Sequence, residues 1–267
     1  MSPYSGVRDS TIDTALSRRK LILRTLTAIN IPMTNLPYKV VVMDCPYDTW
    51  SSPETQYLFS EIINLKLTGY KDVYTDGVLP VDTYDFIATH LLVCTEEDGK
   101  LKPLTGFKSV TSARCRRFNL PFPTSPLLSL GNAPLHAEAV DSIMKDCDAS
   151  GNILAFDSSW TVHPDAKKTR SVHHVLQELF IANVVNWHTA STPHQLLGTG
   201  IRRVRTDRFF ERVGFKRVAR AGQPLPTFGQ ASLAGSEAFL IHLEKFSEFA
   251  TQLAQKYQWF WDNRIAV

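Results

Sequence analysis

The sequence predicts an α/β fold in which helices pack against a sheet of several strands. Three stretches indicate this. Residues 38–45 (YKVVVMDC) form a run rich in β-branched residues, which is typical of a strand. Residues 86–110 have the pattern of two strands joined by a turn containing Asp98-Gly99, a strong hairpin signal. Residues 153–179 combine a strand, a tight basic turn and an amphipathic helix.

The first half of the chain alternates helices and strands. The spacing of apolar residues predicts helices over residues 9–29 and 54–67, with Ser51 or Ser52 as cap of the second, Pro53 near its first turn and Gly69 near its end. Strands are predicted over 38–45, 86–95 and 101–110, and Gly106 marks either a bulge or a close backbone approach.

The second half begins with a stretch, residues 119–134, that holds four prolines and is predicted to be a loop of the kind that covers a binding site. A helix is predicted over 135–149, ended by Ser150-Gly151, and another follows the central strand and turn. The remaining predictions are a strand over 195–204, a helix over 206–213, a strand over 215–218, a loop over 221–235, a strand over 237–243 and a helix over 246–261.

The composition excludes several classes of protein. The chain has 267 residues, of which 43% are hydrophobic and 21% charged, as in ordinary soluble globular domains. Its net charge of +3 is too small to indicate nucleic-acid binding. No apolar run approaches the ~20 residues that cross a bilayer, and the first residues lack the apolar core of a signal peptide. We therefore expect a cytoplasmic protein without a membrane partner.

The cysteines and histidines give no metal signature. Cys45, Cys94, Cys115 and Cys147 are far apart in sequence, so neither a zinc site nor a disulfide framework is predicted. Cys94 lies in an apolar strand and is expected to be a buried, reduced thiol. No metal is expected.

A basic turn precedes the helix that follows the central strand. Positive side chains and the free N–H groups of a helix N-terminus would meet there, and such a place binds phosphate well. The alternative is an ordinary strand-to-helix connection with a solvated basic turn. The residues of the anion-site hypothesis are Val162, Lys167, Lys168, Thr169, Arg170, Ser171 and Val172.

Two other charged stretches each allow two interpretations. Acidic residues cluster over 72–85, where Asp82 and Asp85 could grip an ammonium group, or the stretch could be a solvated loop. The basic residues of 114–118 (RCRRF) could form a phosphate or nucleic-acid patch, although we favour a solvent-exposed face because no basic and aromatic interleaving follows.

The order of predicted elements and three motifs resemble the GNAT acyltransferase superfamily. Val162-His163-Pro164 before the basic turn is similar to the family's V-x-P pattern. Residues 208–215 (RFFERVGF) are similar to its F-Y-E-K-x-G-F segment, and the 86–110 hairpin to its second and third strands. Residues 82–85 (DTYD) and 160–162 (WTV) bring the chain nearest to the autoinducer (acyl-homoserine lactone) synthase branch.

This resemblance implies a mixed, mostly antiparallel sheet flanked by helices over residues 38–267, preceded by a helical extension over residues 1–37. It also implies transfer of an acyl group from an acyl thioester, either acyl-CoA or acyl carrier protein, to the amine of a small molecule. The basic turn would then hold the donor's phosphate. This turn contains no glycine, and Phe210 stands where the family has a tyrosine acid.

Acylation of an amine needs a base, an oxyanion donor and accurate positioning. On the resemblance, Asp157 is the best candidate base, with a purely structural acid as the alternative, and His163 is a second candidate. Ser158 and Ser159 could donate to an oxyanion, or they could simply be residues of the strand. Phe86 and Trp160 could line an acyl pocket, although aromatic residues at such spacing also occur in cores. Asp82 and Asp85 could bind the amine substrate.

Two functions of different class follow. The first is an N-acyltransferase. The second is a catalytically inactive protein of the same fold that binds a ligand or partner, which the loop without glycine and Phe210 favour. Nucleic-acid binding through residues 114–117 and 202–208 is a third and weaker hypothesis, and we do not expect it to hold because the net charge is small.

Overall fold

The computed structural model describes residues 36–71, 73–74, 77–191, 193–204, 206–233 and 235–267. The helix predicted over residues 9–29 lies outside the described residues. The division into an extension over 1–37 and a domain over 38–267 therefore stays a prediction.

The strands follow one another along the chain as predicted, with several short ones added near the end. They are β1 (Lys39–Asp44), β2 (Thr89–Glu97), β3 (Lys100–Thr111), β4 (Ile153–Val162), β5 (Pro193–Ile201), β6 (Lys216–Arg217), β7 (Ala219–Arg220), β8 (Gln223–Pro224), β9 (Phe228–Gln230), β10 (Ser236–Leu243) and β11 (Ile265–Ala266).

Helices separate most of these strands. They are α1 (Pro53–Lys71), α2 (Thr83–Ile87), α3 (Ser112–Arg117), α4 (Thr124–Leu130), α5 (Pro134–Ala149), α6 (Pro164–Lys167), α7 (Arg170–Ala190), α8 (Thr206–Val213), α9 (Glu248–Lys256) and α10 (Gln258–Asp262). Short 3₁₀ turns lie at Arg202–Val204 and Ala231–Leu233.

Within the described residues, nine strands form one sheet, in the order β11-β1-β2-β3-β4-β5-β10-β6, with β9 paired to β10. The pairs β1–β11 and β4–β5 are parallel, and the other pairs are antiparallel. The predicted mixed, mostly antiparallel sheet flanked by helices is therefore confirmed. The Asp98-Gly99 hairpin is confirmed as well, since both residues have positive φ, at 51° and 72°.

Helices cover both faces of the sheet. The long helix α7 lies on one face, where Leu176 and Leu179 are fully buried against strand residues such as Leu91 and Ala155. Helices α1, α4 and α5 cover the opposite face, with Leu58 of α1 and Leu128 of α4 in its two apolar clusters. The position of β4 between these two layers places it at the centre of the molecule.

Helix α1 continues past the predicted end at residue 67, and Gly69 lies inside it. The reason for glycine is tertiary. A Cβ at residue 69 would overlap Cγ2 of Thr161 and lie 3.4 Å from the carbonyl oxygen of Val162. Gly69 therefore lets α1 press directly on the end of β4, instead of terminating the helix.

The strand predicted over 86–95 begins three residues later, at Thr89, because Phe86 belongs to helix α2. A capping box starts that helix. The side chain of Asp82 accepts from the Asp85 backbone N–H, and Asp85 accepts from the Asp82 N–H at 2.9 Å. The two acids of the DTYD motif thus have a local structural role.

Three further predictions are wrong in part. The stretch 119–134 contains helix α4, because Pro126 lies in the first turn of that helix, where no backbone N–H is needed. The predicted helix over 246–261 is divided into α9 and α10 at Tyr257, whose hydroxyl is hydrogen-bonded to Glu178 of α7 at 2.6 Å. The predicted loop over 221–235 also holds β8 and β9.

Candidate active site

Strand β4 contains a bulge at its centre. Gly106 pairs with Thr161 and Lys108 with Ser158, so Ser159 and Trp160 together face the single residue Phe107. Ser159 adopts a φ of +60°, in the left-handed region. The extra residue reverses the alternation of side chains along the strand.

The reversal decides which side chains share a face. Before the bulge, Ala155 and Asp157 face helix α7, and after it Trp160 and Val162 do so. Thr161 instead faces Gly69 of α1. Asp157 and Trp160 therefore lie on the same side of the sheet although they are an odd number of positions, three, apart in the strand.

The two parallel strands β4 and β5 separate just beyond Asp157. Their pairing runs from Ile153 to Asp157, which is opposite Gly198, while both strands continue past that point. A cavity of about 390 Å³ lies at this divergence and extends to both faces of the sheet, touching Phe180 and Val184 of α7 on one side and Leu127 of α4 on the other.

The cavity is largely apolar, with a few polar groups on its wall, as in many small-molecule sites. Its polar lining residues include Tyr70, Tyr74, Asp82, Tyr84, Lys108, Asp157, Ser158, Ser159, Thr199, Thr206, Gln230 and Ser232. The exposed side chains of Leu79 and Leu130, at 85% and 73% exposure, lie on the part of the cavity wall nearest solvent.

Asp157 and His188 form a buried pair on the α7 side of the cavity. Nε2 of His188 donates to Oδ2 of Asp157 at 3.0 Å, and the exposed fractions of the two side chains are 2% and 12%. The other carboxyl oxygen, Oδ1, is buried and has no hydrogen-bond partner within the described part of the chain. This oxygen is thus available to a ligand that carries an N–H or O–H donor.

A phenol lies on the other side of the divergence. Tyr70 follows Gly69, so the contact of α1 with β4 brings its hydroxyl to the side chains of Ser159 and Thr161. Burial raises the pKa of Tyr70, while the hydrogen bonds to Ser159 and Thr161 and the charge of Lys108 oppose that rise. The hydroxyl stays protonated at neutral pH and can donate a proton.

An aromatic stack closes the α7 side of the cavity. The ring of Trp160 packs nearly parallel to the rings of Phe180 and Phe209, with centroid distances of 4.6 and 4.5 Å, and the two phenylalanine rings lie 5.9 Å from each other. Its indole N–H donates to the hydroxyl of Thr105 at 3.2 Å. Trp160, predicted to line an acyl pocket, does line the cavity, and it is also part of the core packing.

A buried charge network lies beneath the opposite wall. Nζ of Lys108 contacts Asp82 at 2.6 Å and Asp85 at 2.9 Å, and Lys66 also pairs with Asp85. Burial acts to raise the pKa of Asp85, but the charges of Lys108 and Lys66 outweigh it, so its pKa lies below the ordinary range. The pKa of His90, whose Nε2 donates to the Asp85 carbonyl, is lowered by burial to about 4.

The charge network includes Asp82 and Asp85, the two acids that were predicted to bind the amine substrate. Asp82 lines the cavity, with half of its side chain exposed, whereas Asp85 is buried and engaged by two lysines of the chain itself. Phe86 lies outside the cavity, packed against Trp50 and Phe59 at centroid distances of 5.4 and 4.8 Å.

The predicted anion-site residues lie together where β4 passes into α7, outside the cavity. Val162 and Val172 are buried, whereas Lys168 is exposed and its Nζ pairs with Asp165 at 2.7 Å. Helix α7 begins at Arg170 after Thr169, whose side chain makes no capping hydrogen bond. The remaining predicted residues are Lys167, on the short helix α6, and Ser171, in the first turn of α7.

The other two predicted catalytic residues differ in position. Ser158 lines the cavity next to Asp157. His163 follows β4 and caps helix α6, where its Nδ1 accepts from the Asp165 backbone N–H at 3.3 Å. It lies at the basic turn, away from the residues that line the cavity.

Among the described residues, no group of three or more His, Cys, Asp or Glu side chains is arranged to hold a metal ion. No helix there is sufficiently long and apolar to span a bilayer. Cys94 is buried, as expected, and is a free thiol.

The basic stretch 114–117 forms helix α3, and its arginines pair with acids. Arg114 contacts Asp44, Arg116 contacts Asp148 and Arg117 contacts Asp48. This pairing is consistent with the solvent-exposed face that the sequence favoured.

Tyr70, Lys108 and His188 were not identified from the sequence as residues of the candidate site. For two of them, the sequence did contain a feature that could have drawn attention to the residue. Lys108 is a charged residue in the middle of a predicted strand, and His188 lies on the buried side of a long helix rich in apolar residues. Tyr70 gave no signal, because its position depends on a contact between elements about ninety residues apart.

No protein-family model matches the sequence, and no curated protein matches it. Solved structures do match, at low sequence identity. They include N-acyltransferases and acyl-homoserine lactone synthases, which is the resemblance predicted from the motifs.

Three of these structures illustrate the similarity. An N-acyl amino acid synthase from uncultured soil microbes, FeeM, is 12% identical, with a TM-score of 0.47 over 82% of this chain and 97% of that one. The CoA-dependent acyl-homoserine lactone synthase BjaI, with MTA, is 11% identical, with a TM-score of 0.49 over 86% and 92%. The AHL synthase LasI is 10% identical, with a TM-score of 0.38 over 77% and 87%. Because these TM-scores are below 0.5, the activity proposed below rests on the cavity and its residues.

Proposed function

We propose that this protein is an acyltransferase that moves an acyl group from an acyl thioester, either acyl-CoA or acyl carrier protein, to the amine of a small molecule. The observation that carries this proposal is the free, buried Oδ1 of Asp157 at a cavity opened by the divergence of β4 and β5. An ammonium group is a ligand that satisfies such an oxygen.

Asp157 is the proposed base. Its Oδ1 takes a proton from the bound ammonium group, and the N–H of His188 holds the carboxyl group in place through Oδ2. The freed amine nitrogen then attacks the thioester carbon, so that a C–N bond forms and the carbonyl oxygen takes up negative charge. The apolar wall excludes water, which strengthens these interactions.

Tyr70 is the proposed acid. When the C–S bond breaks, the leaving sulfur takes the proton of the Tyr70 hydroxyl, and the attacking nitrogen loses its surplus proton to restore the phenol. The products are an amide, a free thiol and one proton. This role replaces that of the tyrosine whose place Phe210 occupies, with a phenol from helix α1 instead of α8.

The donor would lie along β4. That strand leads from Asp157 at the cavity to Val162, and the chain then enters the basic turn, where Lys167 and Arg170 stand near the free N–H groups of the α7 N-terminus. A phosphate at this turn would place the rest of a thioester donor beside β4, with its acyl group in the apolar cavity.

The test is to incubate the protein with a panel of acyl-CoAs and acyl carrier proteins and a panel of small amines, following free thiol and the mass of the N-acyl product. We expect amine-dependent thiol release. Asp157→Asn should lower kcat/KM at least a hundredfold, while Asp146→Asn, which changes an exposed acid on α5, should leave it unchanged.

Two other outcomes have defined meanings. Thermal stabilisation by a thioester without thiol release from any pair would support the non-catalytic, ligand-binding alternative. Equal activity of the Asp157→Asn and Asp146→Asn variants would remove Asp157 from the mechanism and, with it, the observation on which the proposal rests.

A further inference from the structure

In the apolar part of the cavity, one polar side chain has an amide oxygen without a hydrogen-bond partner among the described residues. Gln230 is 8% exposed and lines the cavity on the face opposite α7, among Leu127 and Leu233. Its Nε2 donates to the hydroxyl of Ser232 at 3.2 Å, and its Oε1 is buried with no partner in the described ranges of the chain.

A buried amide that lacks a partner at one end is unfavourable, because that atom has lost its hydrogen bonds to water without gaining one in the protein. A purely hydrocarbon ligand would leave that cost in place. A hydroxyl group on the ligand would remove it, and since a hydroxyl both donates and accepts, it can pair with either end of the amide. The chemistry of Gln230 therefore selects a hydroxyl-bearing ligand over a hydrocarbon one.

The sheet register shows how far this residue lies from the proposed reaction centre. Gly198, opposite Asp157, pairs with Ile241 of β10, and Gln230 pairs with Ser236 on the same strand. Ile241 and Ser236 are five residues apart, which is on the order of 17 Å along the strand. Gln230 thus lies far from the position that the thioester carbon would occupy.

We propose that Gln230 is a specificity-determining residue for an acyl chain that carries a hydroxyl group in its distal part. This inference rests on the proposed function and names the class of its donor. The acyl chain would pass from Asp157 through the gap between β4 and β5 into the part of the cavity that α4 covers. Its hydroxyl group would lie at Gln230, and its methylene groups would lie against leucine and valine side chains.

The test compares three thioesters that differ only in the hydroxyl group. They are dodecanoyl, β-hydroxydodecanoyl and ω-hydroxydodecanoyl, each as the CoA and the carrier-protein thioester, with one amine acceptor in common. We expect kcat/KM for the ω-hydroxy chain to exceed that for the plain chain about tenfold. The β-hydroxy chain, whose hydroxyl lies near the thioester, should show no such gain.

The Gln230→Leu variant should abolish the preference and transfer the plain chain at least as fast as the wild type does. Gln223→Leu, the same change at an exposed position on β8, should keep the preference intact. If Gln230→Leu does not fold, the wild-type panel alone decides. Equal rates for the three chains would overturn this inference while leaving acyl transfer standing, whereas no transfer of any chain would count against the proposed function itself.

Discussion

Nε2 of His188 lies 3.0 Å from Oδ2 of Asp157, and this contact joins helix α7 to the central strand beside the cavity. His188 is a positioning residue, because it touches the base rather than the substrate. It leaves Oδ1 of Asp157 directed at the ligand and fixes the plane of the carboxyl group.

The His188→Leu substitution should lower both stability and rate. It leaves Oδ2 of Asp157 buried without a partner, which costs about 2 kcal/mol, measurable by urea unfolding. We expect kcat to fall more than KM rises, because the acceptor still binds but the base is misaligned. His188→Gln, which can restore a donor, should recover part of kcat. A variant with unchanged kcat would show that the pair is only structural.

Tyr70→Phe should lower the rate of thiol release about a hundredfold if the phenol protonates the leaving sulfur. The fold should be retained, since the ring is kept. The matched control is Tyr57→Phe, which removes a hydroxyl that bonds the Leu101 carbonyl outside the cavity. A further check uses aryl thioesters, whose thiols leave without a proton, and the Tyr70→Phe defect should shrink with them. An equal defect with alkyl and aryl donors would argue against an acid role.

Gly69→Ala should destabilise the protein by about 2 kcal/mol, since the new methyl group overlaps Cγ2 of Thr161. Thr161→Ser removes that methyl group, so the double variant should recover most of the loss. The measurement is a double-mutant cycle of unfolding free energies. Additive effects would mean that α1 does not press on β4 at this point.

The lowered pKa of His90 predicts how the free energy of unfolding depends on pH. Its pKa is about 4 in the folded protein and near 6.5 when unfolded, so the unfolded chain binds more protons between these values. Stability from the neutral ring is complete above pH 6.5 and is lost as pH falls towards 4. Between pH 7 and 5 the loss should be about 2 kcal/mol.

The check is urea unfolding at pH 7 and pH 5 for the wild type and His90→Gln. The variant keeps a donor for the Asp85 carbonyl but does not titrate, so its loss of stability should be smaller by about the same amount. Asp85 does not contribute in this window, because its lowered pKa makes its stabilising effect disappear only at more acidic pH. Identical losses in the two proteins would contradict the assignment to His90.

The order of helices and strands was determined by the sequence, because periodicity and turn residues are local signals. The β-branched run of β1, the Asp98-Gly99 turn and the Ser150-Gly151 helix end act within a few residues, and each is found where predicted. Asp157 was also a candidate base from the sequence, as an acid on the predicted central strand of a chain that resembles the acyltransferase superfamily.

Tertiary structure decided what surrounds Asp157. The bulge at Ser159, with its left-handed φ, reverses the alternation of side chains along β4. Serine has no particular preference for positive φ, so the local sequence does not predict this conformation. The contact between Gly69 and Thr161 brings Tyr70 to the bulge, and the packing of α7 brings His188 to the carboxyl group. Such contacts join residues far apart in sequence, so their geometry depends on how whole elements pack, which the local pattern of any one segment does not specify.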